Sequence, residues 1–537
     1  MEQGRCTETL KAQEPKRSGE RRHKRVAQPQ SWPSVNQIAA TMKHVCPFRR
    51  TLLAAAVAVC AAMIGIRNTS WLAEIFSNLD SRTGSHSIAT PQPDVTAVLL
   101  NWVRLDNVVQ IVSNLCGPSL DGVIKEIVIW NNNYNRPLSD EDFANCTCPK
   151  LRIHNSPENL YFQARFIACA EASTPYCFIQ DDDYLVKPEI IRSLRARINT
   201  HDIFHLPPDE VLSSFVLSID SPNITFGFSW LGYGALLLRS NAESFLSLLK
   251  RVGASAEETK MADNYYAILK NSFPEVWTGH PIPLFGGGDF TVGEEGVARN
   301  RKHIAAATSY LDRIVTDYLT ADAVSWPYVS LPPSPLSFRL ERSPCIERLC
   351  MLESTIKFLP DSFATAAATE RLAVELFSRE ARLSSALTDE FASNYVEHSL
   401  FRAVDADPTT LFRSFQDATE GDTLELDILN SVQQLNWTGV EWSWLVASDM
   451  TPVLKGSKFS FSADRSTWVQ SAGSVSCKPY SAQHVTSSSD LKCGVSMEGP
   501  TLSSARYFRI QLEKVFTVPW RIYETWVTES SPDVDFY

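Results

Sequence analysis

A chain of 537 residues with 44% hydrophobic content holds enough apolar material for two or three packed domains, which excludes an intrinsically disordered protein. The formal charge is −11, yet residues 1–50 carry eleven Lys/Arg against four Glu, so one end is basic and the remainder strongly acidic. A basic stretch confined to one terminus and followed by an apolar run argues for a membrane, and no nucleic-acid partner is expected.

That run, "TLLAAAVAVCAAMIGI" from Thr51 to Ile66, is free of charge and bracketed by Arg49, Arg50 and Arg67. It is shorter than the roughly 20 residues of a full crossing, but thin internal membranes and snorkelling arginines relax that length. Residues 51–67 are read as a signal anchor, with 1–50 a cytosolic tail and everything after Arg67 luminal by the positive-inside rule. The expected location is a Golgi or ER membrane, single-pass and type II. Sequons at Asn68, Asn145, Asn223 and Asn436 agree with a luminal body, as do nine cysteines after the anchor. Cys477 with Cys493 and Cys345 with Cys350 are the expected disulfides, and the odd count leaves at least one free thiol.

Residues 68–93 are polar, end on "PQPD" and read as a stem. "VTAVLL" (95–100) is a short strand, "RLDNVVQIVSNL" (104–115) has helical spacing, and "IKEIVIW" (124–130) is a second strand running into three asparagines. Strand, helix and strand in this order make a βαβ unit and hence a parallel sheet. "FQARFIACAEAS" follows as a helix and "YCFIQ" (176–180) as a strand that ends on Asp181, Asp182 and Asp183. The α/β domain is expected over 94–330, a helical connector over 331–382 after "LPPSPLS", and a strand-rich domain over 383–530.

Ligands of open α/β sheets bind beyond the carboxyl ends of the strands, which is where the three aspartates fall. Adjacent carboxylates repel, and their hard oxygens suit Mn²⁺ or Mg²⁺ held together with diphosphate oxygens. Strand alternation sends Asp181 and Asp183 to one side and Asp182 to the other unless the turn breaks the pleat. "GEEGVARNRKHI" (293–304) is read as a loop whose Arg299, Arg301, Lys302 and His303 fold over a diphosphate, or as a solvated basic loop. Glu294 and Glu295, adjacent in an extended chain, face apart and do not flank one glycosidic bond, which disfavours a glycosidase.

Five motifs in order over about 200 residues, "TAVLLNWVRLDNVVQIV", "IKEIVIWNNN", "ARFIACAEASTPYCFIQDDDYLV", "LGYGALLL" and "MADNYYAIL", resemble the catalytic domain of the exostosin-like glycosyltransferases. The resemblance implies a glycosyltransferase A fold, a Rossmann-like α/β domain. It implies that Arg104, Asn131 or Asn132, and Arg165 contact the nucleotide diphosphate and base, that Asp181 and Asp182 reach the ribose and donor sugar, and that Asp183, with Asp181, holds the metal. Asp263 would lie beside the anomeric centre, although the family's acidic pair stands here as Ala262-Asp263. Arg301 is a further diphosphate candidate. The family also implies a UDP-linked N-acetylhexosamine donor, retention of configuration, and a glycan or glycoprotein acceptor.

In the last domain, "LFRAVDADPTTLFRSF", "GDTLELDIL", "FSFSADRSTWVQ", "ARYFRIQL" and "PWRIYETWV" resemble a coagulation factor V/VIII type C, or discoidin, domain, a β-sandwich. The resemblance offers Asp405 or Asp407 of "DADP" to a structural Ca²⁺, against an ordinary Asx-Pro turn. Trp437, Trp442 and Trp444 are either a sugar platform or core. The whole reads as a membrane-anchored, metal-dependent glycosyltransferase; the alternative is a tethered carbohydrate-binding protein with an inactive transferase domain.

Overall fold

The computed structural model describes residues 92–143, 148–199, 201–213, 216–219, 224–284, 294–320, 325–331, 340–357, 389–429, 439–480, 490–499 and 501–529. The expected signal anchor, the stem up to residue 91, all four sequons, Cys146, "FGGGDF" (285–290) and Trp437 lie outside them. Among the described residues no helix is long and apolar enough to cross a membrane.

The first part is a seven-stranded sheet. Its strands are β1 (Val95–Asn101), β2 (Ile124–Asn131), β3 (Leu151–Asn155), β4 (Tyr176–Gln180), β6 (Ile203–Leu206), β9 (Ala235–Leu238) and β10 (Glu275–Thr278). Two short pairs lie beside it: β5 (Tyr184–Leu185) with β11 (Ile282–Pro283), and β7 (Val216–Ile219) with β8 (Ile224–Gly227). The order is β10-β6-β9-β4-β1-β2-β3, parallel except for β9, which runs against both β4 and β6. The central strands are covered on both faces, so their sequences are continuous apolar runs rather than alternating ones. Helix α1 (Leu105–Leu115) buries Val108, Ile111, Val112 and Leu115, one stripe at helical spacing. Helices α2 (Gln163–Ala170), α3 (Pro188–Arg197), α4 (Arg239–Arg251), α5 (Asp263–Leu269) and α6 (Glu294–Leu319) complete the layers.

Helix α6 corrects one expectation, because the polar stretch read as a loop is its first turns. Ile304, Ala307, Leu311, Ile314 and Val315 are buried in the core that also holds the apolar residues of α5. The amphipathic stripe begins where the polar reading stopped, so it was not seen. Glu294 and Glu295 are consequently helical neighbours, not strand neighbours.

The second part is a two-sheet sandwich of β12 (Glu341–Pro344), β13 (Cys350–Ser354), β14 (Phe412–Asp417), β15 (Thr423–Ile428), β16 (Val440–Ala447), β17 (Ser457–Ser462), β18 (Val469–Gln470), β19 (Val475–Pro479), β20 (Asp490–Met497), β21 (Tyr507–Leu512) and β22 (Pro519–Glu529). One sheet has the order β12-β13-β15-β21-β17-β18, the other β14-β22-β16-β20-β19. Here a second expectation fails: residues 341–354 are a hairpin of the sandwich, not a helical connector, and β13 pairs along its length with β15. Leu352 enters the sandwich core while Met351 enters the α/β core, so the strand is buried on both sides and shows no alternation. Trp442 and Trp444 are core, not a sugar platform. Both are fully buried, their rings are 5.1 Å apart, and Trp442 Nε1 donates to Thr525 Oγ1 at 2.8 Å.

Four disulfides are present among the described cysteines: Cys345–Cys350 and Cys477–Cys493 as expected, with Cys116–Cys148 and Cys169–Cys177 in addition. Residues 90–537 cluster as one unit, and an arginine explains how its two parts hold together. Arg197, at the end of α3, reaches Asp427 of β15 at 2.8 Å, Glu353 of β13 at 3.7 Å and Glu275 of β10 at 3.4 Å. Arg506 also holds Asp427, and Arg465 bridges Glu353 and Glu425.

Candidate functional site

Strand β4 is tied to α2 by Cys169–Cys177, which fixes a helix carrying Arg165 against a strand that ends on the aspartates. The aspartates occupy the turn after β4 and do break the pleat. Asp181 N continues the ladder by donating to Gly232 O at 2.8 Å, and Leu284 N donates to Asp183 O at 2.6 Å. Gly232 leaves room for the Asp181 carboxylate, since a Cβ there would sit 2.0 Å from Asp181 Oδ2 and displace it.

The carboxylates then fan apart, and not as alternation predicted. Asp182 and Asp183 share one partner: Arg104 Nη1 donates to Asp182 Oδ1 at 2.7 Å and to Asp183 Oδ2 at 3.3 Å. Asp181 turns inward to Arg165, whose Nη2 lies 2.5 Å from Asp181 Oδ1. The other terminal nitrogen of Arg165 is 3.1 Å from Asp263 Oδ2, at the first turn of α5. Arg165 is only 1% exposed, so it lies beneath the site as a brace between two acids rather than at a donor-facing surface. Arg104 ends at the rim and is 18% exposed.

Burial sets the electrostatics. Asp263 is pushed up to about 7 by desolvation, offset in part by Arg165 and reinforced by Asp181; its Oδ1 is buried without a hydrogen-bond partner. Asp183 is pushed up to about 6 by desolvation and then by Asp181, against the pull of Arg104. Asp182 is raised as well, chiefly by burial. A carboxylate held above its ordinary range beside other acids is one that an added cation would relieve.

The asparagines are spent on structure. Asn101, Asn131 and Asn155 end three adjacent strands in register and join side chain to side chain, with Asn101 Nδ2 donating to Asn131 Oδ1 and Asn131 Nδ2 to Asn155 Oδ1, both at 2.8 Å. Asn131 Nδ2 also reaches Arg136 O at 2.8 Å, and Asn132 accepts from Leu160 N and donates to Tyr161 O, both at 3.1 Å. Both residues are buried, so their amides shape the strand ends and do not face a ligand. Neither Asn101 nor Asn155 was singled out from sequence, although an asparagine closing each of three strands was the available signal.

The expected cover from α6 is only partly placed. His303 is buried with Nδ1 3.0 Å from Tyr265 Oη, and Lys302 is paired with Glu257 at 2.8 Å. Arg299 is half-buried and Arg301 exposed on the same helix. In the sandwich, Asp405 accepts from Thr410 Oγ1 at 2.8 Å and from Asp407 N at 3.1 Å, and Asp407 accepts from Thr409, which makes "DADP" an Asx turn. Glu524 joins it by accepting from Ala406 N at 3.0 Å, and burial, then Asp405, push its carboxyl up to about 8.

Among the described residues no three His, Cys, Asp or Glu side chains converge as a metal-binding group. The donor set still fits a hard divalent ion that takes one or two protein carboxylates, since Asp183 is 38% exposed, raised, and carries oxygen ligands. Asp405 is also paired with Arg402 at 3.2 Å, and Arg348 partly offsets the charge of Glu524.

These features define an α/β sheet with an acid and arginine cluster at its carboxyl edge, joined to a β-sandwich. No family model and no curated protein matches the chain. Among solved structures, it is similar to glucosyl-3-phosphoglycerate synthase from Mycobacterium tuberculosis in complex with phosphoglyceric acid, at 14% identity over 41% of this chain and 80% of that one, TM-score 0.27. It is also similar to S. aureus TarS in complex with UDP-GlcNAc, at 11% identity over 42% and 72%, TM-score 0.26. A third is CBM32-1 from a family 31 glycoside hydrolase of Clostridium perfringens, at 17% identity over 23% and 80%, TM-score 0.16.

Proposed function

We propose that this protein is a metal-dependent glycosyltransferase that moves a sugar from a nucleotide donor to a glycan or glycoprotein. The observation that supports it best is the arrangement of Asp181, Asp182 and Asp183 on a turn at the carboxyl edge, with Arg104 at the rim and Asp263 behind. The bond from C1 of the sugar to the diphosphate oxygen breaks with both electrons going to the diphosphate, and an acceptor hydroxyl oxygen bonds C1 as its proton passes to the departing diphosphate. Asp183, with Asp181, would hold a Mn²⁺ or Mg²⁺ that neutralises the leaving diphosphate. Arg104 exchanges its carboxylate partners for phosphate oxygens, which a guanidinium binds bidentately. Arg165 keeps Asp181 and Asp263 at fixed separation. Asp263 sits on the side away from the rim, where its charge opposes the positive character that develops at C1.

The finer proposal is a UDP-linked N-acetylhexosamine donor, retention of configuration, and a type II anchor at residues 51–67 that places residues 90–537 in the Golgi or ER lumen. Purified protein incubated with a panel of nucleotide sugars and Mn²⁺ tests the reaction. Metal-dependent turnover that survives Asp183→Ala sinks it. Glycosidase-sensitive shifts that vanish on substitution of Asn145, Asn223 and Asn436 test the luminal placement.

One observation favours a second reading. Every aspartate of the cluster already has an arginine partner, an arrangement that is self-consistent without a metal. A carbohydrate-binding protein with a silent transferase domain would keep it. Such a protein shows no melting shift with UDP plus Mn²⁺, whereas a transferase does.

A further inference from the structure

Trp102 and Tyr134 are 40% and 53% exposed, and among the described residues no other Phe, Tyr or Trp is left so open. The two are also neighbours, with ring centroids 6.3 Å apart and planes tilted by 52°. Trp102 follows β1 and Tyr134 follows β2, adjacent parallel strands, so both stand at the carboxyl edge of the sheet. Val103, between Trp102 and Arg104 in the chain, is 61% exposed and adds to the open apolar ground. The turns that carry the rings are tied down. Asn133 Nδ2 donates to Trp102 O at 2.8 Å, Asn133 N donates to Asn131 Oδ1 at 3.1 Å, and Asn135 N donates to Asn133 Oδ1 at 3.2 Å. Apolar surface that a fold fixes in the open instead of turning inward marks a place where something binds.

Strand order indicates the occupant. β4, β1 and β2 are successive in the sheet, and of the residues that follow β1, Arg104 leans toward the aspartate turn after β4 while Trp102 leans toward Tyr134 after β2. From the aspartate turn to the rings is therefore about two strand spacings, roughly 10 Å, along one edge. That span matches a nucleoside diphosphate whose phosphates lie at Arg104 and Asp183 and whose base lies on the rings. The side chains expected to read the edge of that base are committed elsewhere. Asn131 and Asn132 are buried in strand-end bonds, Asn133 holds the Trp102 backbone, and Arg165 lies beneath the site. What remains for the base is a pair of aromatic faces, and stacking tolerates any base because every base has a π face.

We propose that Trp102 and Tyr134 hold the base of the nucleotide by stacking, without hydrogen-bond readout from the asparagines, so that the site takes purine and pyrimidine nucleoside diphosphates alike. The proposal rests on the nucleotide-sugar reading and alters what that reading asks of the donor. Diphosphate and sugar set the selectivity, the base supplies affinity, and a UDP-linked donor is one of several that the site can hold.

Calorimetric titration of the purified full chain in Mn²⁺ with UDP, CDP, ADP and GDP, and with pyrophosphate as the probe that lacks a base, tests this. The four nucleotides should bind within about tenfold of one another, and pyrophosphate at least about tenfold more weakly than any of them. Trp102→Ala should weaken all four by about tenfold, down toward pyrophosphate, and Trp102→Phe, which keeps a ring, should recover most of the loss. Should Trp102→Ala fail to fold, Tyr134→Ala carries the same test from the other turn. A preference for UDP over ADP and GDP beyond about tenfold, nucleotides that bind no better than pyrophosphate, or affinities unmoved in Trp102→Ala and Tyr134→Ala overturn the stacking proposal and leave the transferase reading standing. Absence of binding by every nucleotide and by pyrophosphate overturns both.

Discussion

Arg165→Met keeps most of the side-chain volume and removes the charge from between two acids. Asp181 Oδ1 and Asp263 Oδ2, now 2.5 and 3.1 Å from the guanidinium, lose their common partner. Removing one member of a buried ion pair typically costs about 3–5 kcal/mol. Asp181 is 33% exposed and can rehydrate, so most of the effect falls on Asp263, which is 11% exposed. Asp263 already stands at about 7 against an ordinary 3.8, and losing Arg165 raises it further. A raised carboxyl means that the folded state holds the proton better. Its contribution is therefore fully present below about pH 4 and is lost as pH rises through about 7, a swing on the order of 4 kcal/mol in the unsubstituted protein. The variant extends that loss upward, so its deficit should be small at pH 5.5 and about 3 kcal/mol at pH 8.5. Thermal melts of both proteins at the two pH values measure it. A deficit of equal size at both, or none at either, refutes the role of Arg165 as a charge brace.

Gly232→Ala forces the Asp181 carboxylate to move, because the new Cβ would lie 2.0 Å from Oδ2. Turnover should fall by about tenfold or more with only a small change in melting temperature, and unchanged turnover would remove Asp181 from the mechanism. Glu524 is raised to about 8, so the protein loses stability from this group as pH climbs from about 4.5 through about 8. Glu524→Gln should match the parent in melts at pH 4 and exceed it at pH 9. Arg197→Ala leaves Asp427, 1% exposed, to Arg506 alone and removes the tie between α3 and the sandwich. Calorimetry should show the single transition broadening or splitting in two, at a cost of about 2–4 kcal/mol; an unaltered single transition would show that the apolar contacts suffice.

The protein fold was legible wherever one face of an element met one environment. The stripe of α1 and the runs of β1, β2 and β4 follow from chemistry within a few residues, and the structure returns each of them. Two of the four disulfides were legible, whereas Cys169–Cys177 was not although only 8 residues separate its cysteines, because its pairing depends on how α2 packs against β4. The hairpin of β12 and β13 was not, because its residues serve two cores at once and so carry no period. Helix α6 was missed because its polar opening precedes its apolar stripe.

The sequence by itself determined that three carboxylates end a buried strand in an α/β domain, and only a family resemblance grouped Arg104, Arg165 and Asp263 with them. Only tertiary structure decided how they divide. The turn rotates Asp182 and Asp183 toward Arg104 and Asp181 toward Arg165, and the burial of α2 makes Arg165 a brace instead of a phosphate ligand. Side-chain partners across 16, 78 and 98 positions depend on where separate elements pack, and desolvation depends on everything packed around them. Neither is a property of any stretch of sequence taken alone.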